Sequence, residues 1–318
     1  MKGKVLTSWS LIWLLSSFLL VAGGALNLYQ RATHKLPPTD GVVWTQKADG
    51  IYAERVEAGF AGDRAGISVG DKLIGIALDA DKFEEVVSVG DISIYLDAAG
   101  VDGRVMYQLK KPYSFADNNY YTDLRHIDPL PRWTPSIIFL SFVGLIWLGV
   151  GAFVLFKQGS RSPFVLHFAI VCLAAFVFHT YTALGTGQDF DLAVNLIDQM
   201  AYAFFVPLFL HFCIRYPVRS TVFDDSKWGT WALYVPAALA SVWLLFISLV
   251  PALFAQSLLA DRFSRFADEY NLYVITDKFL LWHFVVGISV GAGFLIWRFF
   301  KNQQIVVRQR LKWAMWGT

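Results

Sequence analysis

Ala61-Gly62-Asp63-Arg64-Ala65-Gly66-Ile67-Ser68-Val69-Gly70-Asp71-Lys72-Leu73-Ile74 is the stretch that decides the fold. It reads as a short helix of small residues stopped at Gly66, a tight turn at Gly70-Asp71, and a strand. Glycine suits both stops, because a helix end and a tight turn each favour positive φ. Working outward, Gly50-Ile51-Tyr52-Ala53-Glu54-Arg55-Val56 reads as a strand and Glu57 onward as a turn into the helix. These elements lie within Asp40 to Lys111, the one long segment whose composition suits a folded unit in water.

The rest of the chain is apolar. Across 318 residues, 56% are hydrophobic and 16% charged, and the mean hydropathy is +0.47. That composition belongs to a multi-span membrane protein. A formal charge of +2, without a basic patch interleaved with aromatics, argues against a nucleic-acid partner. Cys172 and Cys213 both sit in apolar runs, which leaves neither a disulfide framework nor a CxxC metal site.

After a short N-terminus (1–8) carrying Lys2 and Lys4, residues 9–29 form an uncharged run of about 20 residues, enough to cross a bilayer core. The run is longer than the apolar region of a signal peptide, so it reads as a retained anchor. Residues 112–135, with several Pro and Tyr, Trp133 and no helical period, read as an extended linker. Five further apolar runs fill 136–299, giving about six transmembrane helices in all, and 300–318 reads as a basic inner segment that opens a further span. The Lys and Arg of the short connections fix the orientation. Lys2 and Lys4, Lys157 and Arg161, Arg215, Arg219 and Lys227, and finally Arg298, Lys301, Arg308, Arg310 and Lys312 fall on one side, the cytoplasm. The 40–111 unit and the acidic residues Asp189, Asp191 and Asp198 then fall outside. The fold class expected is a membrane all-α bundle with an inserted α+β extracytoplasmic domain, multi-pass with a cytoplasmic N-terminus.

Catalytic motifs are missing. No His-Glu-x-x-His, Gly-x-Ser-x-Gly or phosphate-cradling Gly-x-x-x-x-Gly-Lys-Ser/Thr occurs, so the sequence gives no catalytic residue, metal ligand or cofactor site. The ionisable residues placed inside spans are His167, His179, His211 and His283, which are functional candidates by default. Bis-histidine haem is disfavoured, because His167 and His179 stand about 120° apart around one helix. The plainer role is a neutral imidazole bonded across the bundle, and pH sensing is the alternative.

The strand, small-residue helix, Gly-Asp turn and strand between Gly50 and Ile76 resemble a PDZ domain. The resemblance implies a carboxylate-binding loop at Thr39-Asp40-Gly41-Val42, so Asp40, Gly41, Val42 and Val43 are the candidate ligand-binding residues, for an extracytoplasmic peptide or a protein C-terminus. Asp40 departs from the family pattern, which expects an apolar residue there. Leu208-Phe209-Leu210-His211-Phe212-Cys213-Ile214-Arg215-Tyr216-Pro217 and Arg308-Gln309-Arg310-Leu311-Lys312-Trp313-Ala314-Met315-Trp316-Gly317 resemble elements of the multi-span input regions of bacterial sensor histidine kinases of the competence and quorum-sensing type. Some membrane-bound PP2C-like phosphatases share the first element. That resemblance implies the sensory input module of a homodimeric two-component kinase in a bacterial cytoplasmic (inner) membrane, whose catalytic part lies beyond Thr318. The alternative is a PDZ-type membrane scaffold or adaptor that binds peptides without signalling.

Overall fold

The computed structural model describes residues 8–47, 49–79, 82–112, 119–158, 163–185, 189–216, 227–254, 262–263, 266–267, 272–302, 304–306 and 308–309. Residues 1–7, the connections 159–162 and 217–226, and 310–318 lie outside them, and with these Pro217 and residues 310–317 of the basic C-terminal stretch. The chain divides into two compact units. One comprises Arg31–Arg132 with Leu184–Thr186; the other comprises Met1–Gln30, Trp133–Ala183 and Gly187–Thr318.

The first unit is α+β. Its strands are β1 (Pro38–Thr39), β2 (Val42–Lys47), β3 (Gly50–Val56), β4 (Lys72–Ala77), β5 (Glu84–Glu85), β6 (Arg104–Lys110), β7 (Tyr120–Arg125) and β8 (Asp128–Pro129). Its helices are α2 (Ala61–Arg64) and α3 (Val89–Ala99). The main sheet runs β2-β3-β4-β6-β7 with β5 beside β4, and β1 pairs separately with β8. Gly66 and Gly70 take φ of +81° and +91°, as the sequence requires of a helix stop and a tight turn. A capping box starts α3: the Ser88 amide donates to Asp91 Oδ2 at 2.9 Å while Asp91 takes the N3 position. Ile51, Ile76, Val105, Tyr107, Leu109, Leu124 and Ile127 build a core whose members all come from this unit.

The structure departs from two expectations. The unit is not confined to 40–111, and 112–135 is not a tether: Tyr120–Arg125 pairs with β6 from Arg104↔Arg125 to Leu109↔Tyr120. The stretch lacks a helical period because its period is that of a strand, burying Thr122 and Leu124 while Tyr121 and Arg125 face out. Arg104 and Arg125 both donate to the carboxylate of Asp123 at 2.6 Å, which supports the new edge across strands.

The second unit is helical: α1 (Ser8–Thr33, its last turn belonging to the first unit), α4 (Pro135–Gln158), α5 (Pro163–Thr180), α6 (Asp189–Arg215), α7 (Lys227–Ala232), α8 (Val235–Leu253) and α9 (Leu272–Lys301). Among the described residues three helices are long and apolar enough to cross a bilayer, over Pro135–Lys157, Asp189–Arg215 and Leu272–Lys301. Phe164–Thr180 and Val235–Pro251 are shorter apolar helices. Neighbouring helices approach closely at glycines, as helices do where apolar surroundings give no hydrophobic drive to associate. A Cβ on Gly287 would fall 2.1 Å from Val206, one on Gly291 2.6 Å from Phe209, and one on Gly151 2.7 Å from Cys172.

These contacts fix helix directions. Gly144 lies by Thr180 and Gly151 by Cys172, so α4 and α5 are antiparallel. His167 meets Leu208 while Phe178 meets Tyr202, so α5 and α6 are antiparallel as well. Val206 opposite Gly287 and Phe209 opposite Gly291 make α6 and α9 parallel. Trp243 bonds Thr276 and Tyr273 bonds Ile247, which sets α8 against α9. Leu14 joins the Val165 and Ala169 cluster and Leu20 receives the Tyr181 hydroxyl, so α1 runs parallel to α5. Asn27 closes that contact by donating to the Thr182 carbonyl and accepting from its amide, each at 3.1 Å. Cys172 and Cys213 are free and buried within the bundle.

Candidate functional site

The loop that carries Asp40 to Val43 is built around its own carboxylate. Asp40 is 2% exposed. Its Oδ1 accepts from the Val42 amide at 2.9 Å, and its Oδ2 accepts from Trp44 Nε1 at 2.9 Å and the Tyr107 hydroxyl at 2.8 Å. Burial pushes this carboxyl above the ordinary aspartate range, against three donors that favour the charged form. The same burial, with Asp40 beside it, drives the Tyr107 hydroxyl well above its usual range. The expectation of an acid standing beside a ligand carboxylate is therefore corrected: the side chain points into the core, because a carboxylate with three donors is better satisfied there than at an open groove.

The loop's backbone is engaged too. The Gly41 amide donates to Thr39 Oγ1 at 3.1 Å, the Gly62 amide to the Asp40 carbonyl at 2.8 Å and the Glu57 amide to the Gly41 carbonyl at 2.8 Å. Two amides that a peptide carboxylate would take, those of Gly41 and Val42, already have acceptors inside the loop. Gly41 sits at φ +74°, and a Cβ there would fall 2.2 Å from Phe60. Beyond the loop, β2 pairs only with β3 among the described residues, so it forms one edge of the main sheet. Val43 on this strand is exposed, as are Val87 and Ile94 at α3, and Gln46 Nε2 reaches across to the Val87 carbonyl at 3.1 Å.

In the bundle, the structure brings two of the four candidate histidines together. His167 and His211 meet edge to face, with ring centroids 4.6 Å apart. His167 Nε2 donates to the Leu208 carbonyl at 2.9 Å, and His211 Nδ1 shares a hydrogen bond of 2.9 Å with the Tyr234 hydroxyl. Tyr234 precedes α8, and nothing in its local sequence signals this partnership. His179 bonds within its own helix, Nδ1 to the Ala175 carbonyl at 2.8 Å.

His283 has a different task. Proline at 207 in α6 offers no N–H to the carbonyl four residues earlier, that of Ala203. His283 Nε2, on α9, lies 3.3 Å from that carbonyl and supplies the missing donor. Asp198, expected in an outer loop, stands instead in the third turn of α6, with Oδ1 buried and without a hydrogen-bond partner. No group of three or more metal-ligating side chains occurs among the described residues. No protein-family model matches the chain, and no curated protein matches it.

Proposed function

We propose that the chain is the membrane-embedded sensory input module of a signalling protein, in which a PDZ-like extracytoplasmic unit reports ligand binding to a bundle of six crossings. The observation that carries the reading is a separately cored α+β unit, Arg31–Arg132, inserted between α1 and α4 of an apolar bundle. Helix directions support six crossings. Taking α1, α4, α5, α6, α8 and α9 in order, each antiparallel or parallel contact is the one that alternate passage through a bilayer requires. The basic connections support a cytoplasmic N-terminus and an outer unit. A kinase as the signalling partner, and a homodimer, rest on the resemblance of the Leu208–Pro217 stretch to sensor kinase input regions.

The ligand is an extended peptide added to the β2 edge rather than a carboxylate gripped by the 39–42 loop, whose amides are taken. A ligand biases the bundle only through different affinity for two arrangements of it. The exposed β2 edge by itself also favours a second reading, a scaffold that presents peptides without signalling.

Two measurements test this. A periplasmically active reporter enzyme fused at Gly100 is expected to be active, and cytoplasmic activity there would remove the receiver. The complete gene product in nanodiscs with ATP is expected to incorporate phosphate at a rate that peptides alter. A rate that stays flat across a peptide library leaves the scaffold.

A further inference from the structure

The soluble unit enters the chain at Arg31 and leaves it at Arg132, and these two residues hold each other's backbone. Arg31 Nη1 donates to the Arg132 carbonyl at 3.0 Å. Arg132 Nη1 donates back to the carbonyls of Arg31 at 3.2 Å and Ala32 at 2.6 Å. Above this crossing the two ends run side by side. The Leu130 amide donates to the Pro37 carbonyl at 2.9 Å, and β1 and β8 pair Pro38 with Pro129 and Thr39 with Asp128.

Pro37, Pro38, Pro129 and Pro131 leave this neck short of backbone donors, and a two-residue ladder is marginal in water. The Arg31 and Ala32 carbonyls lie in the last turn of α1, where the helix offers them no donor, and the Arg132 guanidinium supplies one. From the neck the bonding continues inward. The Asp128 carboxylate accepts from the Ala61 amide at 2.9 Å and from Arg64 Nη2 at 2.9 Å, and Arg64 Nη2 also donates to the His126 carbonyl at 2.7 Å. Next along the chain, the Gly62 amide holds the Asp40 carbonyl at 2.8 Å. Asp40 is the residue around which the loop opening β2 is folded.

We propose that Arg31 and Arg132 form a clasp that couples the two ends of the unit, which continue into α1 and α4, to the loop at the start of the β2 edge. Spreading the ends breaks the clasp, frees Asp128 from α2 and loosens the 39–42 loop. Peptide addition at β2 tightens the loop and closes the ends. This gives the sensory reading a path for its signal and rests on that reading for its purpose, whereas its test needs no ligand.

The test is amide hydrogen exchange in the full chain in nanodiscs. Arg132→Ala is expected to speed exchange at Leu130 and, two links away, at Gly62 and Val42 by at least tenfold, while Val105 and Leu109 in the core keep their rates. Arg132→Lys, which keeps the charge but not the two-carbonyl grip, gives a smaller change in the same amides. Asp128→Asn is expected to speed Ala61 and Gly62. A response confined to Leu130 overturns the coupling, as does an unchanged Gly62 in the Asp128 variant. Should Arg132→Ala expose the core amides as well, Arg132→Lys decides: core protection lost there too makes the arginine merely structural. An intact exchange response in a protein whose phosphate transfer ignores every peptide sinks the sensory reading and leaves the clasp standing.

Discussion

Asp40 shows how far a single side chain can change its meaning between sequence and fold. As a charge beside a ligand loop it would repel a carboxylate; buried under Trp44 and Tyr107 it organises the loop instead. Asp40→Asn keeps the shape but turns an amide donor toward one of three donors, so it is expected to cost about 1–3 kcal/mol. Exchange of the Val105 and Leu109 amides measures the loss. The pH dependence has a defined sign. The folded unit holds the Asp40 proton at pH values where the unfolded chain, titrating near the ordinary 3.8, has released it. The native state then binds more protons, so stability rises as pH falls through the raised value toward 3.8. Asp123 acts oppositely, since Arg104 and then Arg125 hold its carboxylate below the ordinary range, and its contribution is lost as pH falls through that lowered value. Subtracting the profile of Asp40→Asn from that of the wild type isolates the first effect: the difference is expected to grow in favour of the wild type on acidification. A flat difference would mean that the three donors cancel the burial.

Elements were legible where they carried their own punctuation. Gly66 and Gly70 announced the end of α2 and the turn into β4, and the uncharged runs announced the long helices. β7 is not legible in the sequence because Pro112, Pro129 and Pro131 flank it and its short alternation has the period of a strand and not of a helix. Asp198 was misplaced for a related reason: two acids at Asp189 and Asp191 look like loop, yet acids in a first turn suit a helix N-terminus, and α6 begins with them. Contacts between helices were not legible at all. Sequence marks Pro207 as a break and His283 as an intramembrane polar group, but only the packing of α6 on α9 shows one repairing the other. A double-mutant cycle tests this. His283→Ala is expected to destabilise the bundle by about 1 kcal/mol, in the range of hydrogen bonds between membrane helices. Combined with Pro207→Ala, which restores the N–H, most of that loss is expected to vanish. Denaturant unfolding in bicelles reads the coupling, and strictly additive losses would deny the repair.

At the scale of the whole molecule, two units with separate cores make a plain demand. Among the described residues the core of Arg31–Arg132 is built from this segment alone, so the segment expressed by itself is expected to give a dispersed amide spectrum with slow exchange at Val105, Tyr107 and Leu109. A segment cut at 40–111, which discards β7, β8 and the clasp, is expected to leave those amides unprotected. Equal spectra from the two segments would show that β7 adds nothing. The sequence marks the polar island but draws its borders too tightly, because the arginine pair, 101 residues apart in the chain, and the β1–β8 pairing meet only when folded.

Cys172 and Cys213 carry a practical consequence. Both thiols are sealed among the helices, one against Gly151 and the other against Gly291. Maleimide reagents are therefore expected to leave both thiols unmodified in the folded chain. Spin labels or fluorophores can be placed at the neck, at Pro38 and Pro129 for instance, without first stripping the protein of its own sulfur. The opening and closing of those ends can then be followed as a distance, in a bilayer and in real time.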